Sequence, residues 1–414
     1  MTAASPHIRR LTLGLLASAA LAGCSTGRQA PTVLTIAIGV DNDQRIDTEQ
    51  RQNFKERLET LLTEFRQLYP NTTVDMGLYP EETLISAIQR RSRSGLQPDL
   101  ILMSGITAQK MLKADLVDPY PANSTLLNNF EPSSLNRVRN DQGQLAGLPV
   151  LLMTQVSCFD RRRMPRPPKN LEALMAASAS GQTVGLPVEP SNLLWTAGSL
   201  GALPALNQIV TGQTLGAEER SALVGWLRWL QQANGQQGVT FFTNQMAAES
   251  EFKTGQLSWI PCRSGSVPLL RKKLGTNLGI APLPNGANGS MASPLNKVRV
   301  LALGRRSSSI GRQRALSFLQ FIANPLSQRT LTMGSQTVLP GNRFVRVPVK
   351  SSQVLEAMAT AAQQGKQNDV LTAHFNREER SKDNIQTVVT QLVFGEIKPE
   401  TAADQLVRLL EPRR

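Results

Sequence analysis

The sequence predicts an α/β protein of two domains that opens on a parallel β-sheet. Three observations carry this. The chain has 414 residues, more than one compact core organises well, so two domains of ordinary size are expected. Apolar runs of strand length alternate with amphipathic helical stretches, the pattern of strand–helix–strand units. A content of 40% hydrophobic and 18% charged residues belongs to a globular chain and not to a disordered one.

The first run, residues 33–40 (VLTIAIGV), is wholly apolar, as in a central strand covered on both faces. It stops at Asp41-Asn42-Asp43, residue types that favour turns and helix caps. Over 53–69, Phe54, Leu58, Leu61, Leu62, Phe65 and Leu68 recur on one helical face, and Pro70-Asn71 end the helix. A strand over 72–78, a helix over 81–93 with Leu84, Ile85 and Ile88 inward, and a strand over 100–103 ending at Ser104-Gly105 follow. Such units cross over right-handed and build a parallel sheet.

Residues 150–159 read as extended, Pro165 to Pro168 break the chain, and a helix begins at 171. Residues 183–190 are strand-like, and 191–201 carry Trp195. The helix at 218–231 places Leu223, Trp226, Leu227 and Leu230 on one side, which makes Trp226 a core residue. Extended segments follow at 256–261, 277–284 and 296–303. The remainder is helical at 313–323, 354–364, 385–394 and 399–410, with Pro399 in a first turn.

The amino terminus carries a different signal. Arg9-Arg10 precede an apolar run from Leu11 to Leu21, too short for a permanent membrane span, and small residues lead into Cys24. Leu21-Ala22-Gly23-Cys24 resembles the bacterial lipobox. That resemblance implies an export signal over 1–23, a diacylglycerol on the Cys24 thiol, and a short polar tether over 24–32. The body is then expected on the extracytoplasmic (periplasmic) face of the cell membrane, held there by lipid.

The formal charge is +14, but the basic residues are scattered. The densest cluster, Arg161-Arg162-Arg163 with Arg166 and Lys169, is interrupted by prolines and poor in aromatics, unlike a platform for nucleic-acid bases. It reads as a solvated face near anionic headgroups, with no nucleic-acid partner. Histidine is nearly absent: beyond His7 only His374 remains, which excludes a multi-histidine metal site. No metal or cofactor is called for. Cys158 and Cys262 remain after Cys24, an even pair that forms a disulfide in an oxidising compartment or stays as two buried thiols.

Seven motifs in order resemble the extracellular solute-binding proteins of ABC importers, in the large sugar-type, maltose-binding-protein-like family. They are Pro98-Asp99-Leu100-Ile101-Leu102, Leu116-Val117-Asp118-Pro119, the Gly143 to Pro149 stretch (GQLAGLP), Phe252-Lys253-Thr254-Gly255-Gln256, Ala281-Pro282-Leu283-Pro284, the helix from Ala315 to Ile322, and Gly395-Glu396-Ile397-Lys398-Pro399. The resemblance runs from about Val33 to Leu410. It implies the type II two-lobed periplasmic-binding-protein fold: 33–149 plus 280–342 as lobe 1 and 150–279 plus 343–414 as lobe 2. Hinges are expected near 149–151, 280–282 and 340–343, with the ligand in the cleft between lobes.

Ligands of such folds sit at the carboxyl ends of strands and beside helix N-termini. This nominates Asp41, Asn42, Asp43, Ser104 and Gly105 from lobe 1, and Phe159, Trp195 and Arg263 from lobe 2. Trp195 serves equally well as lobe packing; Arg263 could clamp an anion or sit in a salt bridge. On this reading Cys158 and Cys262 both lie on second-lobe strands near the cleft. The sequence departs from the family where sugar rings are stacked: the expected aromatic after Phe252-Lys253-Thr254-Gly255 is replaced by Arg263-Ser264-Gly265-Ser266, and Met103 stands at another such place. The expected function is a monomeric, lipid-anchored receptor that delivers a small solute, a carbohydrate among the candidates, to an ABC permease. A sensor of the same fold without transport is the alternative. An exported hydrolase built on His374 is weaker, because no nucleophile–base pairing is visible.

Overall fold

The computed structural model describes residues 31–412 apart from 41–45, 47, 122–123 and 378. Two sheets organise it. The first contains β1 (Thr32–Val40), β2 (Thr72–Pro80), β3 (Leu100–Ser104), β4 (Val117–Asp118), β5 (Leu148–Met153), β11 (Lys297–Gly304) and β12 (Leu339–Pro340), in the order β12-β5-β11-β3-β1-β2, with β4 beside β11. The second contains β6 (Gln155–Asp160), β7 (Val184–Pro187), β8 (Val239–Phe242), β9 (Trp259–Arg263) and β10 (Leu278–Ala281), in the order β10-β6-β9-β7-β8. Each sheet has its own apolar core.

The expected strand–helix–strand opening is present. β1 pairs in parallel with β2 and β3, and between them run α1 (Thr48–Leu68) and α2 (Glu81–Arg93). Helix α2 has Glu81 and Glu82 in its first turn and Arg90, Arg91 and Arg93 in its last, charges that complement the helix dipole at both ends. Asp99, just before β3, accepts from Thr35 N at 2.9 Å and Thr35 Oγ1 at 2.8 Å, fixing the register of β3 against β1. The sheets are mixed, however. β11 runs antiparallel to both β3 and β5, and β6 runs antiparallel to β9 and β10. A Cβ on Gly147 would lie 2.7 Å from Leu301 O, so β5 can approach β11 only because that residue is glycine.

The chain passes between the sheets three times. It leaves the first at Thr154, between β5 and β6; it returns between β10 and β11; and it leaves again after β12. Boundaries expected at 149 and 280 therefore fall inside β5 and β10, and the passages come later. The reason is that Pro149 and Ile280 sit within hydrogen-bonded ladders, opposite Val300 and Cys158. The helix Gln353–Gln364 then packs on the second sheet, with Val354, Ala357, Met358 and Ala361 in its core.

Among the described residues, no helix is long and apolar enough to cross a membrane. Cys158 and Cys262 are joined by a disulfide with Cα atoms 5.8 Å apart. They lie on adjacent strands one diagonal step apart and are fully buried, which settles the sequence alternative in favour of the bond.

Candidate functional site

A cavity of about 420 Å³ opens between the two sheets. On the first-lobe side it is walled by Glu81 and Ile85 of α2, Ser104, and Gly105 and Thr107 of α3 (Gly105–Lys113). Opposite stand Gln155, Ser191, Asn192, Arg263 and Thr372, while Thr154 and Asn296 line it from two of the crossing segments. Ligands are expected at such an inter-lobe cleft.

The first-lobe wall is pre-organised by its own chain. Ser104 caps α3, its hydroxyl accepting from Thr107 N at 3.2 Å. Ser104 N donates to Glu81 Oε1 at 2.7 Å, and Arg299 Nη1 donates to Glu81 Oε2 at 3.0 Å. Arg299 also donates to Gly39 O, so this guanidinium is buried and fully engaged. The wall therefore carries no uncompensated charge at Glu81, and the backbone donor of Ser104 is already spent.

In the second-lobe wall, Arg263 ends β9 with its guanidinium 3.9 Å from Glu189. Glu189 in turn accepts from Gln245 N at 2.7 Å. Behind it, burial pushes the Glu249 carboxyl above the usual carboxylate range, a rise that Arg263 and the Ser266 and Gln245 hydrogen bonds offset only in part. Arg263 is thus flanked by carboxylates of its own lobe.

A different set of groups is left over. Thr154, Gln155 and Asn296 are no more than 5% exposed and Thr372 is 9% exposed. Thr154 Oγ1, Gln155 Oε1, Asn296 Oδ1 and Thr372 Oγ1 are all buried with no hydrogen-bond partner among the described residues. Each unpaired buried polar atom costs about 1–3 kcal/mol. All four residues line one cavity, and two of these atoms are amide oxygens that can only accept; each atom is itself closed to solvent, so a ligand rich in hydroxyl donors would meet them as the side chains turn toward it.

Of the residues nominated by sequence, Ser104, Gly105 and Arg263 line this cavity. Asp41, Asn42, Asp43 and Cys24 lie outside the described residues. Phe159 and Trp195 are corrected: both are buried in the second-lobe core, at 4% and 1% exposure. Because β6 leaves the cleft at Gln155, Phe159 lies toward its far end, and its ring lies where a Cβ on Gly279 would come within 2.2 Å. Trp195 packs against Trp259 with ring centroids 6.1 Å apart. Among the described residues no tryptophan or tyrosine lines the cavity, as the missing sequence motif suggested. His374 is half-buried on the helix Asp369–Arg377, its ring edge-on to Phe375. Gln155, Asn192, Asn296 and Thr372 escaped the sequence reading. The available signal was position: Thr154-Gln155 and Asn296 are polar residues set in the apolar crossing segments.

Known proteins agree with this architecture. The GacH receptor of Streptomyces glaucescens GLA.O is similar in structure, with a TM-score of 0.69, 14% identity, and coverage of 92% of this chain and 100% of that one. A maltose/maltodextrin-binding domain from Bdellovibrio bacteriovorus has a TM-score of 0.67 at 18% identity, covering 92% and 98%. A maltodextrin-binding protein from L. casei BL23 has a TM-score of 0.69 at 17% identity, covering 93% and 100%. All three share the two-lobed fold. No curated protein matches the chain in sequence. The sequence profile described as bacterial extracellular solute-binding protein matches residues 60–349, and the chain belongs to that family.

Proposed function

We propose that this protein is an extracytoplasmic receptor that captures a small uncharged carbohydrate between its lobes and delivers it to an ABC import permease. The observation that carries the reading is the set of unpartnered polar atoms at Thr154, Gln155, Asn296 and Thr372 around one inter-lobe cavity. A sugar supplies hydroxyl donors to both amides and either role to both threonines. Two sets of charged groups in the cleft are already paired within the protein, Glu81 with Arg299 and Arg263 with Glu189. Structural relatives determined with maltotriose and maltotetraose support the class of ligand. Lobe 1 and lobe 2 would close about the three crossings. A lipid on Cys24 would keep a monomeric receptor beside its permease.

A second reading, a sensor that binds without transport, is favoured by the lack of a tryptophan or tyrosine in the cleft among the described residues. A thermal-shift and calorimetric screen of the full chain against sugars, polyols, amino acids and phosphates tests the ligand class. A sugar at 100 times its dissociation constant should add ~2.7 kcal/mol of stability. Stabilisation by amino acids or phosphate alone would overturn the carbohydrate assignment. Uptake lost on deletion of the protein, with binding intact in vitro, separates transport from sensing.

A further inference from the structure

The cleft has a second chamber of opposite character. Ile36 and Ile38 on β1, Met76 and Leu78 on β2, Leu102 on β3 and Leu301 on β11 line a cavity of about 270 Å³. Their registers put them on one face of the first sheet: Ile36 is opposite Met76, Ile38 opposite both Leu78 and Leu102, and Leu301 opposite Leu102. Phe54 and Leu58 of α1 stand over one side and Leu331 over another, while Met246 and Leu269 of the second lobe complete the wall. Met76, Leu78 and Leu102 remain only partly buried. Among the described residues this sheet face is only partly covered by helices, which leaves apolar surface wet.

The two chambers meet. Met153 and Arg263 line both. At the apolar chamber Arg299 is matched with Glu81 and Arg263 with Glu189, and Lys253 lies within electrostatic reach of the buried Glu249 carboxyl. A neutral tail loses nothing on entering such a chamber.

We infer that the solute is an amphiphile: a neutral sugar headgroup in the polar chamber carrying an aliphatic tail that runs past Met153 into the apolar one. This rests on the carbohydrate reading and narrows it to alkyl or lipid glycosides. Each methylene moved from water into the chamber should tighten binding by about fourfold at best.

The test is calorimetric titration of the full chain, purified without detergent, with the methyl and octyl glycosides of glucose and maltose and with 1-octanol. All are kept below micelle-forming concentration. The octyl form is expected to bind at least tenfold tighter than the methyl form of the same sugar. Leu102→Phe and Leu58→Phe, which fill the chamber from the sheet side and the helix side, should bring that ratio close to one. Equal affinity for methyl and octyl forms overturns the tail chamber and leaves the carbohydrate reading standing. Octanol binding as well as octyl glycosides overturns the sugar head. Absence of binding by every probe overturns both.

Discussion

Arg137 of the first lobe donates to the Asp369 carboxylate of the second, and its Nη1 donates to Asn296 O in a crossing segment at 2.7 Å. One guanidinium thereby ties both lobes to the strand that runs between them. Arg137 is 7% exposed, so its charge depends on that partner. Asp369→Asn should cost about 2 kcal/mol, the worth of a charge-assisted hydrogen bond. Urea titration of both proteins measures it; an unchanged midpoint would mean that solvent already screens the pair.

Thr372 presents a buried hydroxyl without a partner at the cavity wall. Thr372→Val removes that hydroxyl at nearly constant shape. The free protein should be equally stable or gain about 1 kcal/mol, while sugar affinity should fall by about two- to tenfold. Thermal unfolding and calorimetry on the same preparations check both halves. Lower stability with unchanged affinity would place the hydroxyl in a packing role.

Glu249 sets a pH dependence. Burial raises its carboxyl in the folded state, so the folded protein holds that proton to a higher pH than the unfolded chain does. Stability contributed here is greatest below the unfolded value and declines as pH rises through the window up to the folded one. Glu249→Gln removes the decline. The variant should match the parent near pH 4 and exceed it at pH 8 in urea titrations; a gap that opens toward acid would contradict the sign.

The Cys158–Cys262 bond closes a loop of 104 residues. On the chain-entropy account a loop that long is worth about 4.7 kcal/mol. Guanidinium unfolding with and without reductant, alongside the Cys158→Ala/Cys262→Ala pair, should show a loss of that size in both reduced and doubly substituted protein. Since β6 and β9 begin and end at the cleft, the loss should fall on the second lobe.

The opening of the fold was legible because its signals are local. α2 occupies the expected 81–93, and β3 ends at the expected Ser104. What sequence could not carry was strand partnership over long separations. Nothing in KVRVLALG says that β11 inserts between β3 and β5 with reversed direction. The same blindness misplaced Phe159. A strand's end was taken as the cleft end, which holds for parallel strands leaving the core but not for β6, which starts at the cleft. Trp195 takes the packing side of its two expectations, and Ser191 and Asn192 one turn earlier are the residues that reach the cavity.

The central place of β11 governs how this protein can fold. Strands β1 to β3 are early in the chain, yet the sheet that holds them lacks its central β11 until residue 304 arrives and its edge β12 until residue 340. The second core waits longer, for Leu406 and Leu410 at the far end. Contacts so distant in sequence form slowly. For a family that works outside the cytoplasm that delay is useful: until its distant segments are made, such a chain has no finished lobe that would have to be unfolded before crossing a membrane.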